Sequence, residues 1–269
     1  MIQAAIPLQS VASGCRKPVS RLNDSPPDAT TQLSLRTPLS AAERVALDTL
    51  TPYLTPERQE RFADVLDART DRLTVVLEGL RQRHNYSAVL RSCEAFGVQT
   101  VHVVDPDGVF DISRNVAMGA HHWLRIEQSR ELGPRLHMLK ERGYQLVATT
   151  PHPPTTPLAE VDLSQPVALL LGNELNGLSD EAIAAAGVRM AIPTVGFVES
   201  LNVSVTAAVC LQSLTERLRA TDAADWRLPP VARERLLLEW TRRSVRSAEP
   251  IERAALAAAG FDSKGSSDD

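Results

Sequence analysis

Between residues 73 and 193 the chain alternates two kinds of pattern. Short apolar, β-rich runs (LTVVLEGL, QTVHVVDP, YQLVATT, PVALLLG and VRMAIP) are separated by stretches with helical spacing such as SAVLRSCEAFG and ELGPRLHMLKERG. Near-continuous apolar runs belong to strands covered on both faces, and strand–helix alternation joins such strands into one sheet. The predicted fold class is α/β, a mostly parallel sheet with helices on both faces. Upstream, SAAERVALDTL and TPERQERFADVLDART each open on a Ser or Thr cap with Glu in the first turns, which predicts two helices. Downstream, a helix is predicted over 202–219, and PPVARERLLLEWTRRSV spaces Leu236, Leu237 and Trp240 along one face of another.

The expected organisation follows. Residues 1–41 are rich in Ser, Thr, Pro and Asp without sustained periodicity, and read as a disordered extension. Residues 42–72 form a helical segment, 73–219 the α/β body, and 220–269 a helical segment with a polar tail.

Composition narrows the chemistry. With 269 residues, 43% of them hydrophobic and 23% charged, the chain can bury a full core. No apolar run reaches the roughly 18 residues of a membrane span, and the N-terminal stretch is too interrupted for a secretory signal, so a cytoplasmic protein without membrane contact is expected. Cys15, Cys93 and Cys210 are odd in number and lack CxxC spacing, which argues against a disulfide framework or a zinc site. His121 and His122 are adjacent and cannot share one helix face, so no metal is expected. A net charge of −4 lacks the basic excess that phosphate binding leaves. Neither a GxGxxG turn nor a GxxxxGK[ST] loop is present, which excludes the usual dinucleotide and phosphate-loop folds.

Three segments carry candidate chemistry. In HNYSAVLRSCEAFG, Asn85 and Ser87 stand at a helix start, Arg91 lies one turn past Ser87, and Gly97 is placed to end the helix in a left-handed conformation. Asn85 can equally be a local cap and Arg91 a solvated charge. In VALLLGNELNGLSDE a buried strand runs into Gly172, Asn173, Glu174 and Gly177, where open α/β sheets bind ligands. In AIPTVGFVESLNVSVTAAVCL a strand ends at Pro193, a loop holds Gly196, and Ser200 and Asn202 precede a helix whose N-terminus suits an anion.

In this order and spacing the segments, NxSAxxRxxxAFG, LGNExxGLS and IPxxGxxxSLNVSVxxAV, resemble the SpoU branch of the SPOUT methyltransferases, specifically the enzymes that 2′-O-methylate the D-loop guanosine at position 18 of tRNA. The resemblance runs from about residue 55 to the helix ending near Arg246. It implies a C-terminal trefoil knot, an exception to unknotted topology, and a homodimer in which each site borrows from the neighbouring subunit. It implies S-adenosylmethionine as cofactor, held largely by backbone at Leu171, Gly172, Asn173, Ile192, Gly196 and Leu201. Arg91 takes the activating role, Asn85 orients it or the ribose, Ser200 and Asn202 hold a substrate phosphate, and Glu174 fixes the cofactor loop or the partner subunit. Arg61, Arg69, Arg217 and Arg219 are the expected RNA contacts. The sequence departs from the family at Glu199, where Gln is expected, and at Glu216 and Leu218, where basic residues are expected. Related enzymes methylate ribosomal RNA, and a non-catalytic knotted RNA-binding protein would keep the same fold. Helical flanks without a separate N-terminal RNA-binding domain favour tRNA.

Overall fold

The computed structural model describes residues 35–108, 110–220 and 226–261. Residues 1–34 of the expected extension and the polar tail 262–269 lie outside the described residues. In chain order the elements are α1 (Ala41–Leu50), α2 (Pro56–Asp67), β1 (Leu73–Glu78), α3 (Arg83–Phe96), β2 (Thr100–Val104), α4 (Arg114–Ala117), β3 (Arg125–Ser129), α5 (Leu132–Glu141), β4 (Gln145–Thr149), β5 (Thr156–Pro157), β6 (Val167–Leu171), α6 (Asp180–Ala185), β7 (Val188–Ala191), α7 (Val203–Ala220), α8 (Pro230–Ser244) and α9 (Ala248–Ala258).

The strands form one seven-stranded sheet in the order β3-β2-β1-β6-β4-β7-β5, with every pairing parallel. Successive side chains of a strand face opposite layers. Val75, Leu77, Leu169 and Leu171 join Val89, Leu90, Ala207 and Leu211 in the core under α3 and α7. Val76, Ala168 and Leu170 join Leu136, Leu139 and Ala182 in the core under α5 and α6. The helices therefore lie on both faces, and β6 is buried along its whole length because it is central.

From β1 the chain builds outward through β2 and β3, then returns to place β6 on the other side of β1. The strand order thus reverses between β1 and β6, and open parallel sheets bind ligands in the crevice at such a reversal.

The helices at the two ends of the described chain share a core of their own. Leu50, Leu54, Phe62 and Leu66 pack with Leu236 and Trp240, and Trp240 meets both Phe62 and Trp123 edge to face. Ser40 and Glu43 form a capping box at α1. Arg235, 3% exposed, donates to the carbonyls of Thr37 and Pro38, each at 2.9 Å, and to Glu43. The buried Leu39 and the buried Arg235 guanidinium thus hold residues 37–39 at the approach to α1. Among the described residues no helix is long and apolar enough to cross a membrane.

Candidate active site

The loop after β6 is shaped by two glycines. A Cβ on Gly172 would lie 2.2 Å from the Gly177 carbonyl carbon, and Gly177 has φ +71. The loop therefore folds back over its own start, closed by paired backbone hydrogen bonds between Asn173 and Gly177, both 2.9 Å. The side chain of Asn173 holds this shape: its Oδ1 accepts from the N–H groups of Leu175 and Asn176, and its Nδ2 donates to the Gly79 carbonyl at 2.8 Å.

Glu174 is thereby presented to the start of α3. Asn85 Nδ2 donates to Glu174 Oε1 at 2.7 Å, and the Arg81 N–H donates to Oε2 at 3.1 Å. Burial pushes the Glu174 carboxyl up, but the hydrogen bonds from Asn85 and Arg81 outweigh it and hold the group below its ordinary range. Asn85 is 1% exposed. It is not a cap, since α3 begins two residues earlier at Arg83.

From the third segment, Asn202 Nδ2 donates to Asn85 Oδ1 at 3.3 Å. Asn202 also caps α7, its Oδ1 accepting from the Ser204 N–H at 2.8 Å and the Ser204 hydroxyl at 2.6 Å. Asn85 thus joins the second and third segments, with donors and acceptors matched at every step. Ser87, fully buried, accepts from the Ser113 N–H at 2.8 Å and so ties the segment after β2 to α3. Arg91 is exposed on α3 and makes no hydrogen bond or ion pair within the described residues. Cys93 is buried in the same helix with its thiol pushed up to about 12, which leaves no thiolate for nucleophilic work.

Beside this network lies a cavity of about 530 Å³ at the C-terminal ends of β6, β4 and β7, within the usual range of small-ligand sites. Leu171, Gly172, Asn173, Glu174, Ile192, Ser200 and Leu201 line it, whereas Gly196, Asn85, Arg91 and Asn202 do not. Thr149, Thr150, Ile183, Arg189, Met190 and Thr206 are lining residues that the motifs did not single out. The strand-end rule alone could have located Thr149, Thr150 and Met190, which lie at or beside the C-terminal ends of β4 and β7.

Three of the four arginines expected on RNA donate to backbone carbonyls of the protein itself, although only Arg69 is buried and Arg219 stays exposed. Arg69, 1% exposed, donates to the Val98 carbonyl and to Glu94 at 3.0 Å, and stacks over Trp240. Arg217 donates to the carbonyls of Leu158 and Val161. Arg219 donates to the Phe96 carbonyl at 2.8 Å and the Ala68 carbonyl at 3.3 Å. Each guanidinium donates to backbone carbonyls at or near element ends, where helices leave acceptors without an intrahelical partner. Arg61, on α2, is exposed.

Residues 72–212, more than half of the 269-residue chain, match the SpoU rRNA Methylase family. The chain belongs to that family. This SpoU methylase is 38% identical over 190 residues to the tRNA (guanosine(18)-2′-O)-methyltransferase of Thermus thermophilus, a similarity covering 70% of its own length and 98% of the relative. It is similar to the solved Aquifex aeolicus TrmH/SpoU tRNA modifying enzyme at 30% identity with a TM-score of 0.65, over 71% of this chain and 98% of that one. It is also similar to an AdoMet-bound rRNA methyltransferase from Sinorhizobium meliloti at 25% identity with a TM-score of 0.50, over 60% of this chain and 61% of that one. The SpoU segment begins at the strand β1 and ends within α7, so it contains the Asn85–Glu174–Asn202 network and the cavity.

Proposed function

We propose that this chain transfers a methyl group from S-adenosylmethionine to a ribose 2′-hydroxyl of tRNA, with the D-loop guanosine at position 18 as the target. The observation that carries this reading is the meeting of Asn85, Glu174 and Asn202, from three distant segments, at the edge of a cavity of cofactor size. The Thermus thermophilus relative, whose name states this activity, is covered almost throughout, which favours tRNA over the ribosomal RNA named for the Sinorhizobium meliloti neighbour.

The cavity fits the cofactor. Apolar Leu171, Ile183, Met190 and Leu201 provide surface for a nucleoside, while Thr149, Thr150 and Thr206 add hydrogen-bonding groups without any phosphate cradle. Bound there, S-adenosylmethionine supplies an electrophilic methyl group on a sulfonium. The chain supplies alignment and charge stabilisation. Arg91 carries a planar fork of donors, so its role is to donate to the ribose oxygen as negative charge develops there and the hydroxyl proton leaves to solvent. Asn85 and Glu174 hold the cofactor loop against α3, and Ser200 and Asn202 present donors to a substrate phosphate at the start of α7. Of the expected set, Arg61 is exposed on α2 and makes the accessible RNA contact that is simplest to test.

The reading includes the trefoil knot implied by the resemblance, and a homodimer. Support for the dimer comes from Val195, Phe197 and Val198 in the loop before α7 and Val205 and Val209 on α7, all exposed, an apolar patch of the kind that marks an interface. A cytoplasmic location goes with a tRNA substrate in this reading.

The test is incubation of the purified protein with labelled S-adenosylmethionine and unmodified tRNA transcript, followed by ribose-methylation mapping, with Arg91→Ala alongside. A 2′-O-methylguanosine in the D-loop, absent with the variant, supports the reading. Methylation of ribosomal RNA alone moves the substrate, and cofactor binding without transfer to either RNA overturns the enzymatic role.

A further inference from the structure

The cavity wall is unbalanced in charge. Glu174, Asp180 and Glu199 place three carboxylates on it, against a single guanidinium, that of Arg189. His152, the other basic lining residue, is charged only when protonated. Glu174 is held by Asn85 and the Arg81 N–H. Arg189 is exposed and makes no hydrogen bond or ion pair within the described residues, even though Asp180 lines the same cavity.

Backbone register fixes where Arg189 stands. It is paired with Ala148 of β4, and Ala148 belongs to the core under α5 and α6, so Arg189 projects on that face of the sheet. The next residue, Met190, is 1% exposed and joins the opposite core. The cavity therefore runs from the β6 loop around the ends of β4 and β7 to the α6 side, where Ile183 and Arg189 bound it.

A ligand bearing one carboxylate meets repulsion along most of this wall, because like charges in a partly desolvated site disfavour one another. Arg189 offers the exception, with a planar donor fork that matches a carboxylate bidentately. We propose that Arg189 anchors the α-carboxylate of S-adenosylmethionine, so that the amino-acid end of the cofactor is directed toward α6. The proposal rests on the S-adenosylmethionine reading above and adds to it a side-chain contact and a direction for the bound cofactor.

Titration calorimetry with two probes tests it. S-adenosylhomocysteine and 5′-methylthioadenosine share the adenosine and the thioether, but only the first carries the amino-acid carboxylate. With Arg189→Gln in the full chain, affinity for S-adenosylhomocysteine falls roughly tenfold to a hundredfold, the usual worth of a charge-assisted hydrogen bond, while affinity for methylthioadenosine stays within about twofold. Arg189→Glu weakens S-adenosylhomocysteine further and again spares methylthioadenosine. Equal loss of both ligands, unchanged S-adenosylhomocysteine affinity, or a wild-type protein that binds both probes equally overturns the proposal and leaves cofactor use standing. Failure of the wild-type protein to bind either probe removes the S-adenosylmethionine reading, and the anchor with it.

Discussion

Asn85 and Glu174, 89 positions apart in sequence, are joined by a hydrogen bond of 2.7 Å from the buried amide to a carboxylate on the cavity wall. The bond links the first strand–helix unit to the loop after β6, the two places flanking the reversal of strand order.

That carboxylate gives the fold an acid limb. Its folded-state pKa lies below the ordinary 4.5, so its contribution to stability is present above that value and is lost as pH falls through the lower, folded pKa. Chemical denaturation followed between pH 6 and pH 3, a range of about that span around the carboxylate value, should show a shallower acid loss for Glu174→Gln than for wild type. Identical pH profiles would mean that the carboxylate charge is not what Asn85 and Arg81 hold.

Arg91 should be intolerant even of lysine. If the forked geometry of the guanidinium matters, Arg91→Lys loses nearly as much single-turnover methyl transfer as Arg91→Ala, on the order of a hundredfold or more, with S-adenosylhomocysteine affinity retained in both. Near-normal transfer by the lysine variant would sink the assignment.

Gly172 has no room for a methyl group. With a Cβ placed 2.2 Å from the Gly177 carbonyl carbon, Gly172→Ala must open the loop, at a cost of about 1–3 kcal/mol as for other overpacked sites. A lowered melting temperature and a loss of stabilisation by added S-adenosylhomocysteine are expected together. A variant that melts like wild type and still responds to the ligand would contradict the tight crossing.

Arg69 and Arg61 should separate stability from RNA affinity. Arg69→Ala removes a buried donor from Glu94, the Val98 carbonyl and Trp240, for a loss of about 3 kcal/mol in denaturant unfolding. Arg61→Ala should leave stability within about 0.5 kcal/mol and weaken tRNA binding with a reduced salt slope. Filter binding at two salt concentrations would expose the opposite pattern.

Strands β1, β2, β4 and β6 were legible as apolar runs because they are covered on both faces, and β7 was legible from VRMAIP although Arg189 on it is exposed. β3 and β5 were not: RIEQS lies at the sheet edge and is polar at every position but Ile126, and Thr156–Pro157 is too short and carries a proline. The left-handed Gly97 stood where its position after AF predicted, with φ +82. The cavity residues of the β6 loop were readable from glycines after a buried strand. The arginines were not readable. Helical spacing tells which residues share a face, but it cannot reveal which carbonyls of other segments a guanidinium will meet, here those of Val98, Leu158, Val161, Ala68 and Phe96 with Arg69, Arg217 and Arg219. Periodicity also gave no reason to look at Arg189, whose significance depends on which charges the fold brings around it.

The grip of Arg235 on Thr37, Pro38 and Glu43 has a bearing on how the molecule is made. A ribosome delivers α1 long before α8, so the first helix emerges without the surface it will cover and must wait, apolar side out, until nearly the whole catalytic sheet has followed. Closure of the helical layer therefore waits for α8, and a chain truncated before α8 leaves the apolar side of α1 without the surface that covers it.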